Sequence, residues 1–555
     1  MRDLSRAVAL ALPIAALSSQ DSARLSRIFN RLAIGVLAAL GIVALLTFRD
    51  YGLSWDDYAH SEYGDLLLQF YASGLRDQRA LSWVNLYYYG GGFDLLAAVA
   101  AKFLPLTPFE TRRLIGAAVG IFGLFVTWRI GRRVGGPPAG LIALVLLAAC
   151  PIYYGHMFMN PKDSPFAVAM AILLLGLVRC FEEYPRVSIA TATLAGAGFG
   201  LSFGSRIMGA FGAIDALAAL TLIFSLECRA LGIRQAGGRL GHFLLALAPA
   251  VVLAYAVMAF IWPWSAADPL NPLRAVEYFS RFFEKPWQEL FDGRVISVPD
   301  MPRSYLPTLF AFKLPVIFLV LGLGGAAGAL VAAFRRTVTL NRRAVLLLVA
   351  LAALLPLAVT VALRPAMYNG IRHFVFVLPP FAVLGGLAGM SLVEVAARRF
   401  RFAPIAAAVV LVAGTAVPVA EMIRLHPYEY TYFNGFSGGV TGARGRYMLD
   451  YWGLSFKQAS QALLARLAER HESKPGDRKI AVCGPHRSPQ VELGPDFETS
   501  WDPSGADFAM MLGEFYCAKL EAPLLVEIVR DGVTYARVYD IRGRSIPTLL
   551  TLPGL

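Results

Sequence analysis

Long apolar runs separated by short polar segments dominate the hydrophobic pattern of this chain. A helix that crosses the hydrocarbon core of a bilayer needs about 20 mostly apolar residues. About eleven segments have that length, and they lie near residues 32–48, 112–130, 137–155, 165–180, 187–204, 207–226, 243–262, 312–334, 344–362, 374–395 and 403–421. The pattern therefore predicts a polytopic α-helical membrane protein with about eleven transmembrane helices.

Clusters of arginine fall on alternate ends of these segments, as expected when positive charge marks cytoplasmic loops. Pro13 interrupts the first apolar stretch, so we interpret the amino terminus as a cytoplasmic tail rather than as a signal peptide. The odd number of spans then places the carboxy terminus outside. Three regions are predicted: a cytoplasmic tail over 1–31, a transmembrane domain over 32–421 with outward loops 49–111 and 263–311, and an extracytoplasmic domain over 422–555.

The carboxy-terminal region is more polar than the rest and has the patterns of a small α/β domain. Residues 455–470 are typical of an amphipathic helix, and residues 479–483 of a strand. Two strand-like runs within 524–539 flank the turn pair Asp531-Gly532, which predicts a β-hairpin. In the first outward loop, residues 58–72 carry apolar side chains at helical spacing and predict a helix lying in the membrane interface.

Composition excludes two classes of protein. A hydrophobic content of 57%, a charged content of 16% and a mean hydropathy of +0.56 exclude a soluble fold of this size. The net charge of +13 does not indicate a nucleic-acid partner, because the positive-inside rule already explains the arginines. Five cysteines are too few for a disulfide framework, and the sequence leaves open whether Cys483 and Cys517, the two in soluble sequence, form a disulfide.

Candidate chemistry begins directly after the first apolar run, at Asp56 and Asp57. One carboxylate can accept a proton from a hydroxyl while the other binds substrate or a cation, and Tyr58 beside them is a candidate substrate contact. Repulsion between neighbouring carboxylates predicts a raised pKa for one of them, which would make it a better base. The alternative is a pair of solvated acids that merely end a membrane span.

The second outward turn concentrates polar side chains between two apolar runs: His156, Asn160, Lys162 and Asp163. A lysine at this place can hold a phosphate leaving group, and Asp163 can face the Asp56 pair across a cavity. The alternative is a plain Asn-Pro turn whose lysine snorkels to the interface.

Cationic residues at two further outward turns are candidate phosphate ligands. Arg372 is preferred because a guanidinium binds phosphate oxygens in a fork, and His373 follows it directly. Arg206 lies in another tight turn, a costly placement that indicates a site. The alternative is contact with lipid headgroups.

The order of these parts resembles the GT-C class of integral membrane glycosyltransferases, in the superfamily of protein O-mannosyltransferases and the aminoarabinose transferase acting on lipid A. Family members carry an Asp-Asp/Glu motif in the first outward loop and another acid in the second; here these places hold Trp55-Asp56-Asp57-Tyr58 and Asn160-Pro161-Lys162-Asp163. Segments His426-Pro427-Tyr428 and Asp450-Tyr451-Trp452-Gly453 are similar to a bacterial branch of the superfamily. The resemblance extends firmly over residues 30–450.

The resemblance implies a sugar donor on a polyprenyl phosphate and transfer with inversion at the anomeric carbon. It places Asp56 as the base and Asp163 as the second-loop acid. Asp57 stands where the family more often has Glu, so its role is less defined. Metal dependence stays open, because some GT-C enzymes need a divalent cation and others do not.

A lipid-phosphate-dependent glycosyltransferase is therefore the leading hypothesis. Its partners would be the polyprenyl-phosphate sugar, a lipid, glycan or protein acceptor, and the bilayer, at the outer side of a bacterial inner membrane. One alternative is a transporter or flippase of lipid-linked sugars, which needs polar groups throughout the membrane depth; here charges crowd one face, with Asp215 the main exception. Another is a scaffold whose outer tail is the working part.

Overall fold

The computed structural model of the chain describes residues 19–281, 287–398, 402–472 and 478–551. Within these ranges the helices are α1 Ser19–Thr47, α2 Asp57–Ala72, α3 Gly92–Ala101, α4 Pro108–Ala148, α5 Pro151–Met159, α6 Asp163–Glu183, α7 Ile189–Ser205, α8 Ala210–Leu231, α9 Ile233–Ala246, α10 Ala248–Ile261, α11 Pro263–Ala267, α12 Asn271–Ser280, α13 Tyr305–Lys313, α14 Val316–Phe334, α15 Leu340–Leu363, α16 Leu378–Ala397, α17 Ala403–Leu425, α18 Gly439–Ala443, α19 Phe456–Glu469 and α20 Arg487–Leu493.

Nine helical stretches in the described ranges are long and apolar enough to cross a membrane. They are α1, α4, α6, α8, α9 with α10, α14, α15, α16 and α17. Two differences separate this number from the predicted eleven: α4 contains two predicted spans, and α7, with 17 residues, is shorter than the other spans. The prediction of a polytopic helical membrane protein is confirmed; residues 1–18 of the predicted tail lie outside the described residues.

Helix α4 is two helices joined at a kink. At its start, Thr107 accepts a hydrogen bond from the backbone N–H of Glu110, whose carboxylate accepts one from the Thr107 backbone in return. Gly136 breaks the helix with a φ of 82°, a conformation that glycine adopts without steric cost. Pro137 and Pro138 then begin the second half, where a missing N–H does least harm.

The strands form two sheets. In the loop after α12, β1 Gln288–Phe291 and β2 Arg294–Ser297 make an antiparallel hairpin that the sequence had not predicted. The strands of the carboxy-terminal sheet are β3 Arg478–Cys483, β4 Phe497–Ser500, β5 Phe508–Leu512, β6 Leu524–Arg530 and β7 Val533–Asp540. Their order in the sheet is β4-β3-β5-β7-β6, with β3 parallel to β4 and β5, and β7 antiparallel to β5 and β6. The predicted helix, strand and hairpin of this small α/β domain are confirmed.

The apolar core of the membrane helices continues into the segment that follows them. Helix α4 packs along α16, α6 along α7, and α7 along α10. Residues of the 425–454 segment share one buried apolar cluster with these helices, whereas α19 and the sheet form a second cluster. A disulfide between Cys483 and Cys517 ties β3 to the loop after β5. The segment after the last membrane helix is therefore packed on the membrane helices, close to the loops that carry the candidate chemistry.

Candidate active site

Asp57 is locked in place at the start of α2. Its carboxylate accepts hydrogen bonds from both terminal nitrogens of Arg113, at 2.8 and 2.6 Å, and from the Ser54 backbone N–H at 2.7 Å. The side chains of Asp57 and Arg113 are only 1% and 3% exposed. Both oxygens of Asp57 thus hold the first loop against α4.

Asp56, by contrast, keeps its carboxylate partly open. Its side chain is 29% exposed, and Oδ2 lies 3.3 Å from Nζ of Lys162. Burial alone would raise the pKa of Asp56, but the charges of Lys162, Arg372 and His60 outweigh it and lower the pKa to about 2. The Asp56 carboxylate is therefore ionised in the ligand-free protein.

The expectation that one acid of the pair has a raised pKa is wrong. Despite its burial, the pKa of Asp57 is also lowered, chiefly by the charge of Arg113 and its hydrogen bonds. Each acid has its own cation, Lys162 for Asp56 and Arg113 for Asp57, and these attractions exceed the repulsion between the two neighbours.

Asp163, at the first turn of α6, joins two arginines from distant parts of the chain. Oδ1 lies 2.6 Å from Nη2 of Arg206, and Oδ2 lies 3.2 Å from Nη1 of Arg372. Asn160 donates from Nδ2 to Oδ2 at 2.8 Å and accepts from the Asp163 backbone N–H at 2.7 Å. The turn that the sequence shows as Asn-Pro-Lys-Asp therefore assembles a buried acid between two cations.

Aromatic rings line the cations of the site. The ring of Tyr89 lies 5.4 Å from Nζ of Lys162 and 5.6 Å from Cζ of Arg206. Cζ of Arg372 lies 4.9 Å from the ring of Tyr368 and 5.2 Å from that of Trp452. Such contacts hold a cation in place without neutralising its charge.

The arginines retain hydrogen-bond donors for another partner. Nε of Arg206 and Nε of Arg372 are buried and have no hydrogen-bond partner in the described part of the chain. Lys162, Arg206 and Arg372 face the carboxylates of Asp56 and Asp163, so three positive charges against two negative leave one positive charge. The site is suited to an anion.

His156 and Asn160 lie behind the cations rather than among them. Asn160 Nδ2 is 3.0 Å from His156 Nδ1, and His156 Nε2 is 3.2 Å from the Tyr451 hydroxyl. Burial is the main cause that lowers the pKa of His156 to about 3, so the imidazole is neutral. Both side chains are fully occupied within the protein, which argues against direct contact with substrate.

The remaining predicted residues surround this group. The ring of Tyr58 faces Arg487 of the carboxy-terminal domain, with Cζ at 5.1 Å, and the side chain is 41% exposed. His373 packs edge-on against Tyr368, with ring centroids 4.9 Å apart. The structure thus brings together Asp56, Lys162, Asp163, Arg206 and Arg372. His373 lies close enough to interact electrostatically with Arg372 and Asp163, whereas Tyr58 lies at the periphery.

Sequence reasoning gave no role to four residues of the site: Arg113, Tyr89, Tyr368 and Trp452. Arg113 stood at the edge of a predicted span, Trp452 belonged to a segment that carried only the family resemblance, and Tyr89 and Tyr368 were not singled out. The one signal was that Tyr89 and Trp452 each precede a glycine. A Cβ at Gly90 would clash with the carbonyl of Gly204, so glycine there lets Tyr89 approach the turn that carries Arg206.

In the described ranges no group of three or more His, Cys, Asp and Glu side chains converges as metal ligands would. Asp56 and Asp163 each pair with cationic side chains instead.

One part of the chain matches the model of a known protein family. Residues 103–260 match the family model described as dolichyl-phosphate-mannose-protein mannosyltransferase, a span of less than half the chain. This match supports the resemblance to GT-C membrane glycosyltransferases within that span. No curated protein sequence matches the chain.

Solved structures align with most of the chain at low sequence identity. ArnT from Cupriavidus metallidurans in the apo state is 18% identical, with 91% of this chain and 97% of that chain covered and a TM-score of 0.47. The same protein bound to undecaprenyl phosphate is also 18% identical, with 93% of this chain and 98% of that chain covered and a TM-score of 0.46. The Archaeoglobus fulgidus oligosaccharyltransferase in the apo form is 13% identical over 86% of this chain and 65% of that chain, with a TM-score of 0.48.

Proposed function

We propose that this chain is a GT-C membrane glycosyltransferase that moves a sugar from a polyprenyl-phosphate-linked donor to an acceptor hydroxyl, with inversion at the anomeric carbon. The family that matches residues 103–260 is described by a donor of this chemical class. The observation that carries the proposal is a cluster of three largely buried cations beside one partly open carboxylate, that of Asp56.

The cations suit the phosphate of such a donor. A polyprenyl-phosphate sugar is a phosphodiester with one negative charge, which balances the one positive charge left over at the site. The unpartnered Nε–H groups of Arg206 and Arg372 supply donors, and Lys162 supplies a third positive charge beside Asp56. We assign these three residues to the phosphate, with Asp163 holding the two arginines at the correct separation.

The reaction follows from this placement. The bond between the anomeric carbon and the phosphate oxygen breaks, the acceptor oxygen bonds to the opposite face of that carbon, and the hydroxyl proton passes to Asp56. A further negative charge develops on the departing phosphate, where preformed cations stabilise it. Asp56 is the base because its carboxylate is partly open, whereas both oxygens of Asp57 are occupied.

Donor binding also activates the base. In the ligand-free protein, Lys162 and Arg372 stabilise the ionised form of Asp56 and so make it a weak base. A phosphate that pairs with these cations offsets their charge, and the pKa of Asp56 then rises toward the range of an effective general base. Proton abstraction is thereby coupled to the presence of the donor.

We infer that the site and the carboxy-terminal domain lie on the outer side of a bacterial inner membrane. The alternating arginine clusters support this orientation. The disulfide between Cys483 and Cys517 supports it independently, because disulfides persist in oxidising compartments. Residues 422–555 would then form the extracytoplasmic region and residues 32–421 the membrane region.

The test supplies the purified protein in vesicles with radiolabelled polyprenyl-phosphate sugars and follows the label into lipid, glycan or protein. We expect transfer by the wild type and a loss of at least about 100-fold in Asp56→Asn, the effect of removing a general base. The matched control is Asp65→Asn, an exposed acid on the same helix α2, which should retain activity. A fully active Asp56→Asn protein overturns the assignment of the base, and movement of intact donor across the vesicle without transfer favours a transporter.

A further inference from the structure

A loop of the carboxy-terminal region reaches into the candidate active site. Asp450 fixes this loop by accepting backbone hydrogen bonds from Leu454 at 3.0 Å and Ser455 at 3.1 Å, and another from the Tyr430 hydroxyl. The side chain of Trp452, between these anchors, is 1% exposed. A buried tryptophan on a loop with this many fixed points has little freedom to move.

Trp452 lies against the guanidinium of Arg372. Its ring is 5.2 Å from Cζ, and the ring of Tyr368 lies 4.9 Å from the same atom. Two aromatic rings restrict the tilt of the guanidinium plane and leave its edge to Asp163 and to an anion. Tryptophan gives the strongest such contact among the aromatic side chains.

The neighbouring residue acts on the second acid of the site. The neutral His156 accepts at Nδ1 from Asn160, so its Nε2–H donates to the Tyr451 hydroxyl. Asn160 in turn donates to Asp163, which holds both arginines. A chain of hydrogen bonds thus connects Tyr451 to the acid that sets the positions of the cations.

The same region also holds the loop that carries Asp56. The Ser488 hydroxyl donates to the Leu53 carbonyl at 3.0 Å, and Lys457 Nζ donates to the Arg49 carbonyl at 2.7 Å. The carboxy-terminal region therefore contacts both walls of the site, the first outward loop and the Arg372 turn.

We propose that the carboxy-terminal region completes the site that binds the donor phosphate. Trp452 positions Arg372, and Tyr451 positions Asp163 through His156 and Asn160. Neither residue touches the reacting atoms. The proposal rests on the proposed function, since it assigns Arg372 to the donor phosphate, and it makes the outer domain part of substrate binding rather than a separate module.

The experiment measures the dissociation constant for undecaprenyl phosphate in detergent micelles. Trp452→Leu should weaken binding roughly tenfold, the loss expected for one desolvated cation–π contact. Trp452→Phe keeps a ring over the guanidinium and should stay within about threefold of the wild type. The matched control is Tyr428→Leu, because Tyr428 is equally buried and stacks on Tyr535 of β7, so its loss perturbs the interface without touching Arg372.

A double substitution separates positioning from general damage. If Trp452 acts through Arg372, its substitution has no further effect on binding in an Arg372→Gln protein. Equal losses with and without Arg372, or an equal loss in Tyr428→Leu, overturn the proposal. If Trp452→Leu does not fold, Trp452→Met, which fills the space without a ring, is compared in the two backgrounds by the same criterion. If the wild type neither binds the lipid phosphate nor transfers sugar, the proposed function itself is refuted. If the wild type binds the lipid phosphate and Trp452→Leu binds it equally well, only this inference is refuted.

Discussion

Asp57→Asn is the substitution that best separates the two neighbouring acids. In the structure Asp57 belongs to the framework, because both of its oxygens are paired with Arg113. Asparagine has nearly the same shape but no charge, so it leaves the buried guanidinium of Arg113 without a counter-charge. We therefore expect Asp57→Asn to lower the free energy of unfolding. Asp56→Asn should lower transfer and change stability far less, because Asp56 is partly exposed and pairs with a single lysine.

The size of the effect follows from the burial of the pair. With exposed fractions of 1% for the Asp57 side chain and 3% for that of Arg113, water cannot compensate the lost charge. Removing one partner of such a pair costs about 3–5 kcal/mol. An asparagine amide oxygen at the Oδ2 position can still accept two of the three hydrogen bonds, which places the expected loss near the lower end, about 3 kcal/mol.

The assay is the free energy of unfolding in mixed micelles, followed by tryptophan fluorescence during an SDS titration, with transfer measured on the same preparations. Asp65→Asn again serves as the exposed control. Arg113→Gln combined with Asp57→Asn should recover part of the loss, because the unpaired buried charge is then gone. An Asp57→Asn protein with wild-type stability and no transfer refutes the reasoning and returns Asp57 to the reacting groups.

Two further predictions concern pH. A bound donor phosphate offsets the charges of Lys162 and Arg372, so the acidic limb of the kcat profile should lie at higher pH than the acidic limb of the kcat/KM profile. The kcat/KM profile reports Asp56 in the free enzyme, where its pKa is about 2. Coincident acidic limbs contradict the coupling. Burial, and next the charge of Asp450, raises the pKa of Glu514 to about 8 from its ordinary 4.5. The folded state then keeps a proton that the unfolded chain releases, so this contribution to stability is full below pH 4.5 and is lost as the pH rises toward 8. Glu514→Gln should therefore be more stable than the wild type at pH 8 and equal to it near pH 4, in thermal unfolding, with the exposed Glu521→Gln as control.

Patterns with a short period were predicted correctly. The helix expected over 58–72 is helix α2, Asp57–Ala72, and the hairpin expected around Asp531-Gly532 is formed by β6 and β7. The helix and the hairpin are both determined by residues close together in sequence. The helix follows from the helical spacing of apolar residues, and the hairpin from alternating residues around a favourable turn pair. The turns that carry Asp56, Asp163 and Arg372 were also singled out correctly as meeting one another, because polar side chains between long apolar runs are energetically costly in a membrane protein.

By itself the sequence determined the membrane class, most of the helical spans and the loops that carry the candidate residues. Only the tertiary structure decided which charges meet. Asp57 pairs with Arg113 at 2.6 Å across 56 positions of the chain, and Arg372 meets Trp452 from the carboxy-terminal region. Such contacts are set by how helix α4 and the carboxy-terminal region pack, which no local periodicity records. For this reason two adjacent acids that look equivalent in sequence have different environments, one closed by an arginine and the other partly open beside a lysine.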